Sequence, residues 1–404
     1  MSRAAAVVIA LSLSAPCLAG VGPEILVPED PRTPQVQVRP QVAYGGGVHL
    51  VVWQSGLGRK ADIRSARLDA EGRVLDSRSM AVCTAPGRQG EPAVAFSGGV
   101  FLVVWSDRRS GEDDVYAARL DSDGRVLDPD GFLLAGGPEN QSQPAVAAVG
   151  DGFWVAYTQW VGRGYAPRLV RTDGTGRPLD AQPTVVSEID PPPDGPENLA
   201  GNAVIAVCNR PRLAVGGQEV IVLWEGGGAG RFLNGRYHVY GRRYSTDGTA
   251  IDPEPVEIFK PQSRVFVPDA AAEGGAFLVV WEDRRDRGEL GGDGNLMRFT
   301  ASGAELVSIS PSGGGRKVFE PAMAVDTRGG LLLAFRDSGG RDGMLILRQG
   351  LDNTSAAETE IGTDAHWPAL CAPGSDAAPA VLAYTRTPTP AEPSARVVVR
   401  LVTE

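Results

Sequence analysis

"PAVAFSGGVFLVVW", residues 92–105, opens on a proline, runs through small apolar residues and a Gly-Gly pair, and ends in an apolar stretch closed by tryptophan. A segment apolar at nearly every position suits a strand covered on both faces, since strict alternation appears only where one face meets water. The phrase returns as "PQVAYGGGVHLVVW" (40–53), "PAVAAVGDGFWVAY" (144–157) and "PRLAVGGQEVIVLW" (211–224). Looser copies are "PDAAAEGGAFLVVW" (268–281), "PAMAVDTRGGLLLAF" (321–335) and "PALCAPGSDAAPAVLAY" (368–384). The opening prolines, Pro40, Pro92, Pro144, Pro211, Pro268, Pro321 and Pro368, lie 52, 52, 67, 57, 53 and 47 residues apart. That period leaves room for four short strands and their turns.

Within one unit the proline opens a first strand and "FLVVW" forms the second. "DVYAARL" (114–120) forms the third and "GFLLA" (131–135) the fourth. The third strand recurs as "DIRSARL", "VYGRRY", "NLMRFT", "MLILRQ" and the terminal "RVVVRLV", while the copy "YAPRLVR" (165–171) reads as irregular. The last unit runs out of chain after its third strand, and "PEILVPE" (23–29), ahead of the first proline, supplies a fourth. The expected fold is therefore all-β: a seven-bladed β-propeller of four-stranded antiparallel blades, closed by an N-terminal strand that completes the last blade. Residues 20–404 then form one domain.

The pattern P-x-V-A…G-G-x-F-L-V-V-W-x-D-x-R resembles a broad group of exported bacterial propeller-repeat proteins across residues 22–402. The resemblance implies the fold and the export, and names no ligand. The WD dipeptide pattern is absent, the Gly-Gly pairs precede the second strand where kelch repeats carry theirs after an apolar strand, and the sialidase Asp-box does not occur.

Residues 1–19, "MSRAAAVVIALSLSAPCLA", carry one early charge at Arg3, an apolar stretch, Pro16, and small residues Cys17 and Ala19 before Gly20, as a signal peptide does. Lipidation of Cys17 is the competing reading, weakened by Pro16 directly before it. Location in the periplasm, on the outer surface or in the medium follows, without a transmembrane segment. Without Arg3, 38 basic residues face 49 acidic ones, a net charge of −11 that argues against nucleic acid as partner. Three cysteines remain after cleavage, Cys83, Cys208 and Cys371, so one disulfide at most can form and spacing does not choose it.

Charges recur beside the turns between third and fourth strands. Asp123-Gly124 suits a two-residue type I′ turn, and counting outward sets Arg119 opposite Asp128. The same count pairs Arg67 with Asp76 and Arg243 with Asp252, and in the fifth unit sets Arg298 against Val307. A pair repeated at the periphery reads as structural. "DSDGRVLDPD" has the acids of a calcium loop, but the matching turns have fewer and none keeps EF-hand spacing, so no metal site is expected.

Loops after second strands and before first strands share one face of such a fold, and the longest lie there: 187–210, 225–236 and 282–295. Candidate binding residues on this face are Asp107, Arg108, Arg109, Trp160, Asp283, Arg284, Arg285 and His366. Asp107, Asp283 and Asp337 are also placed to cap their own loops. His49, His238 and His366 lack metal-ligand spacing, and no nucleophile elbow, P-loop or dinucleotide fingerprint occurs. No cofactor is expected. The expectation is a monomeric, non-catalytic propeller binding a protein, cell-surface component or polysaccharide. The alternatives are a carbohydrate-active hydrolase or lyase using Glu112, Asp113, Asp283 or Asp337, and a structural envelope protein.

Overall fold

The computed structural model describes residues 20–30, 35–162, 164–188, 205–229, 237–259, 264–273, 275–284, 293–300, 303–307, 318–326, 329–337, 343–349, 356–363, 365–373, 378–388 and 394–403. Among the described residues the structure is all-β, with a single 3₁₀ turn at Gly58–Lys60. Strands β1 (Gly20–Val21) and β2 (Ile25–Leu26) precede a first meander of β3 (Gln37–Gly45), β4 (Val48–Ser55), β5 (Asp62–Asp69) and β6 (Met80–Cys83). The second is β7 (Gln89–Ser97), β8 (Val100–Asp107), β9 (Asp114–Leu120) and β10 (Phe132–Ala135). The third is β11 (Gln141–Val149), β12 (Gly152–Trp160), β13 (Tyr165–Thr172) and β14 (Thr184–Val185).

The next two meanders are β15 (Ile205–Gly216), β16 (Glu219–Ala229), β17 (Tyr237–Ser245) and β18 (Val256–Phe259), then β19 (Arg264–Glu273), β20 (Ala276–Arg284), β21 (Asp293–Thr300) and β22 (Gly303–Val307). A single parallel pair, Tyr237 with Arg264, joins them into one sheet. β23 (Val318–Val325), β24 (Leu331–Asp337), β25 (Gly343–Gln349) and β26 (Ala356–Thr363) follow. The chain ends in β27 (Ala365–Cys371), β28 (Ala380–Arg386) and β29 (Arg396–Thr403). Both N-terminal strands pair antiparallel with β29, Gly20 with Thr403 and Ile25 with Val399.

The first strands touch one another in sequence, β3 on β7, β7 on β11 and onward to β27, and β27 in turn packs on β3. Apolar clusters fill the gaps between successive meanders. One unites Leu50, Val52 and Ile63 with Phe101, Val103 and Trp105, and another unites Val51, Trp53 and Leu68 with Val381, Val397 and Val399. The aromatic ending each second strand is the anchor: Trp53, Trp105, Tyr157, Trp224, Trp281, Phe335 and Tyr384 are each exposed by 2% or less. Burial of this many large side chains is the main source of stability, since each aromatic removes roughly 150–250 Å² from water.

Four expectations are corrected. The first strand does not begin at its proline: β3 starts three residues earlier, and its register shifts between Val38 and Gln41. Among the described residues, the first strands β3, β7, β11, β15, β19, β23 and β27 all carry this bulge at the same place. Proline has no N–H to give the ladder, so it is tolerated where the ladder is interrupted.

The turn at Asp123-Gly124 is a three-residue loop. Asp121 N–H bonds to Arg125 O and Gly124 N–H to Asp121 O, with only Gly124 at positive φ (+84°). A type I turn closed by a glycine bulge gives this pattern. Leu120 therefore bridges Val126 in place of Leu127. Third, Arg298 stands opposite Glu305 in place of Val307, because Thr300 pairs with Gly303 and the register is centred one residue earlier than the count placed it. The copy read as irregular, by contrast, forms a full-length strand, β13, paired to β12 over eight residues.

The Arg–Asp pairs are present. Arg119 Nε and Nη2 donate to Asp128 at 2.8 and 2.9 Å, and Arg119 N–H also donates to Asp128 Oδ2 at 3.0 Å. The aspartate thus replaces the ladder carbonyl that the arginine's backbone lacks. Arg67–Asp76 and Arg243–Asp252 repeat the geometry. A fourth pair, Arg171–Asp180, was not anticipated. Two of these arginines also reach the next meander's turn, Arg67 at Ser122 O (2.9 Å) and Arg171 at Asp247 O.

Candidate functional site

The bulge aims a side chain. At each bulge described in full, the residue before the proline adopts left-handed backbone: Arg39 (φ +54°), Glu91 (+57°), Gln143 (+55°), Arg210 (+49°), Glu320 (+50°) and Trp367 (+51°). Side-chain-bearing residues avoid this region, and a following proline restricts them further, so each position stores of order 1–3 kcal/mol. These six residues ring a cavity of about 390 Å³ enclosed by the first strands. The ring lies where first strands begin and second strands end, since Gln37 pairs with Ser55. That is the end at which the long loops were expected.

The ring is stitched circumferentially. Arg39 Nη1 donates to Glu91 Oε1 at 2.9 Å, and Gln143 N–H reaches Glu91 Oε2 at 3.3 Å. Arg210 N–H donates to Gln143 Oε1 at 2.9 Å, and Trp367 N–H to Glu320 Oε2 at 2.9 Å. The Arg39 guanidinium lies 6.0 Å from the Trp367 ring centroid. Behind the ring stands the polar residue following each buried aromatic: Ser106 Oγ donates to Glu91 Oε2 (2.9 Å), and Glu282 Oε2 accepts from Glu320 N–H (3.4 Å).

Deeper in the channel Arg212 and Asp269 lie 3.8 Å apart, and Asp269 also accepts from Met323 N–H at 2.9 Å. Their depth within the protein raises the Asp269 carboxyl above its ordinary range and lowers Arg212, although a quarter to a third of each side chain still faces the channel.

The residues expected to bind are scattered relative to this ring. Asp107 is fully buried, accepting from Trp105 Nε1 (2.8 Å) and from its loop's Arg109 N–H (2.9 Å). Arg109 closes the same network: Nη2 donates to Asp107 Oδ2 (2.6 Å) and Asp130 O (2.8 Å), with its guanidinium 4.1 Å over the Tyr116 ring. The Cys83 thiol, pushed up to about 11 by burial, lies 3.1 Å from the same nitrogen. Arg108 is largely exposed and 3.8 Å from Asp113, whose carboxyl burial raises above its usual range. Trp160 lies edge-on to Tyr165 at 5.2 Å.

His366 adjoins the ring, with Nδ1 4.0 Å from Glu320 Oε2 and its ring 5.8 Å from Trp367. Arg285 falls outside the described residues, as do the side chains of Asp283, Arg284 and Asp337. Cys83 and Cys371 are free thiols.

No protein-family model and no curated protein sequence matches this chain. Its fold is similar to that of a family PL25 polysaccharide lyase, an ulvan lyase bound to -[GlcA(1-4)Rha3S]-. The TM-score is 0.63 and the identity 12%, over 95% of this chain and 96% of that one. A protein of unknown function from Dyadobacter fermentans DSM 18053 follows at TM-score 0.56 and 12% identity, over 95% and 99% of the two chains. An α-L-arabinofuranosidase from Fusarium graminearum, in complex with an iminosugar inhibitor, gives 0.52 and 11%, over 95% and 98%. At these identities the likeness establishes the fold, which is β-propeller-like and all-β.

Proposed function

We propose that this chain is an exported seven-bladed β-propeller, closed by its N-terminal strands, that binds and cleaves a polysaccharide across the mouth of its axial channel. The observation that carries this is an arc of four ring residues on neighbouring first strands: Glu320, Trp367, Arg39 and Glu91. Trp367 keeps 37% of its surface exposed at the mouth, where an aromatic face packs against the apolar face of a sugar. Glu320 stands on the strand beside it and Glu91 one strand beyond Arg39, and these would supply the two carboxyl groups that glycosidic cleavage divides into acid and base. Near-full-length likeness to a polysaccharide lyase and an α-L-arabinofuranosidase supports a carbohydrate as ligand.

A second reading, binding without cleavage, is favoured by the fact that both carboxylates already carry structural bonds: Glu91 from Arg39, Ser106 and Gln143, Glu320 from Trp367. Incubating the protein with arabinan, polygalacturonate, alginate and dextran separates the two. New reducing ends or an ultraviolet-absorbing unsaturated product, lost in Glu91→Gln or Glu320→Gln with binding retained, supports cleavage. Retention without product selects the second reading, and retention of no polysaccharide overturns both.

A further inference from the structure

We infer that the polysaccharide is anionic and seats a carboxylate or sulfate group on Arg210; this rests on the proposed site. The ring's charged groups are unequally occupied. Arg39 spends Nη1 on Glu91 and lies over Trp367. Among the ring carboxylates, Glu91 accepts from Arg39, Ser106 and Gln143, and Glu320 from the Trp367 amide. Arg210 differs. Its backbone is pinned by Gln143 Oε1 and the bulge, yet 45% of its side chain is exposed, and its ion pair with the buried Glu225 is a long one, Oε1 standing 4.0 Å from Nη1.

A planar guanidinium that lines the cavity on a strained backbone, and that meets its carboxylate partner among the described residues only at long range, matches the oxygen geometry of a carboxylate or sulfate. Arg210 stands on the fourth first strand and Trp367 on the seventh, so one ligand reaching both must span the mouth as an oligosaccharide. The chain's net charge of −10 disfavours unspecific attraction of a polyanion, so retention of one reports a local site.

Affinity electrophoresis of the full chain in polygalacturonate, dextran sulfate and neutral dextran tests this and separates carboxylate from sulfate. At least one polyanion is expected to retard the protein about tenfold more strongly than dextran. Arg210→Gln is expected to remove about tenfold of that affinity, while Arg73→Gln, on an outer turn, leaves it unchanged. Arg210→Lys, which keeps the charge without the fork, is expected to fall between. Equal retardation by neutral and anionic polymers, or no change in either Arg210 variant, overturns the inference; Trp367→Ala weakening dextran binding would then leave the proposed site standing. Failure to bind any polymer overturns the site itself.

Discussion

The outer clasps recur in the first four meanders and the inner ring at six first strands among the described residues, and they repeat in opposite ways. At the rim the residue types recur: arginine and aspartate nine residues apart at Arg67–Asp76, Arg119–Asp128, Arg171–Asp180 and Arg243–Asp252. At the ring the place recurs while the residues change: Arg39, Glu91, Gln143, Arg210, Glu320 and Trp367 all precede a proline. Rim charges satisfy their own hairpin or the next meander's turn, and the ring brings four residue types from six strands to one shared space. A repeated pair answers a need of the hairpin, and a repeated position with varied residues is what the proposed site is built from.

Removing residues 20–30 tests the frame on which both depend and carries the largest expected effect. The segment supplies β1, β2, the fully buried Val27 and Glu24, which accepts from Tyr384 and Arg400. Its loss exposes β29 and the cluster joining last meander to first, and should cost at least about 4 kcal/mol. A truncated protein melting at the parent temperature sinks the closure argument, and with it the idea of a continuous ring.

His49 lies between rim and ring, wholly buried on β4 against Tyr44 at 4.7 Å. Burial holds its pKa down to about 4 from the ordinary 6.5. The unfolded chain therefore takes up the proton first. Stability is complete above about pH 6.5 and is lost as pH falls from there towards 4, by about 3 kcal/mol in all. Thermal melts of the parent and a His49→Gln variant at pH 7 and pH 4.5 check this. Equal pH sensitivity in the two removes His49 as the cause.

Asp128→Ala should cost about 1–2 kcal/mol, because it strands both the Arg119 N–H and its guanidinium. Polysaccharide binding should be untouched. Glu91→Gln, which keeps the side chain's shape and one acceptor oxygen, is expected to invert that profile, costing less stability than Asp128→Ala and losing turnover while binding is retained. If Asp128→Ala impairs turnover as much as Glu91→Gln does, the division between rim and ring fails.

Much of the rim was legible in the sequence, and the ring was not. Three clasps follow from counting around an Asp-Gly or Glu-Gly pair. The fourth hides because Asp173-Gly174 is a decoy: Gly176 N–H bonds to Asp173 O, so the true turn glycine comes two residues later. Aligned on that glycine, all four turns share one frame. The ring escaped for a deeper reason. Repeats show in what stays the same, and here the constant residue is the proline while the residue before it changes from strand to strand. Arginine, glutamate, glutamine and tryptophan have no preference for left-handed backbone, so nothing local announces the bulge. The available signal was a variable column beside an invariant proline. Loop charges such as Arg109 looked exposed because the pocket formed by Asp107, Asp130 and Tyr116 exists only after the second and third strands pair.

The smallest expected effect concerns stability at the ring and cuts most finely. Trp367 is held at φ +51° with 37% of its surface exposed. Glycine adopts that backbone freely, so Trp367→Gly relieves strain worth about 1–3 kcal/mol, at the cost of modest contacts with Arg39 and His366 and a more flexible unfolded chain. The two sides nearly cancel, and the melting temperature should move by no more than about 1 kcal/mol equivalent while binding is lost. A tryptophan that holds the fold together would instead cost about 3 kcal/mol or more when removed, as the buried strand aromatics should. That outcome would place Trp367 with the core, leaving the ring without its aromatic face.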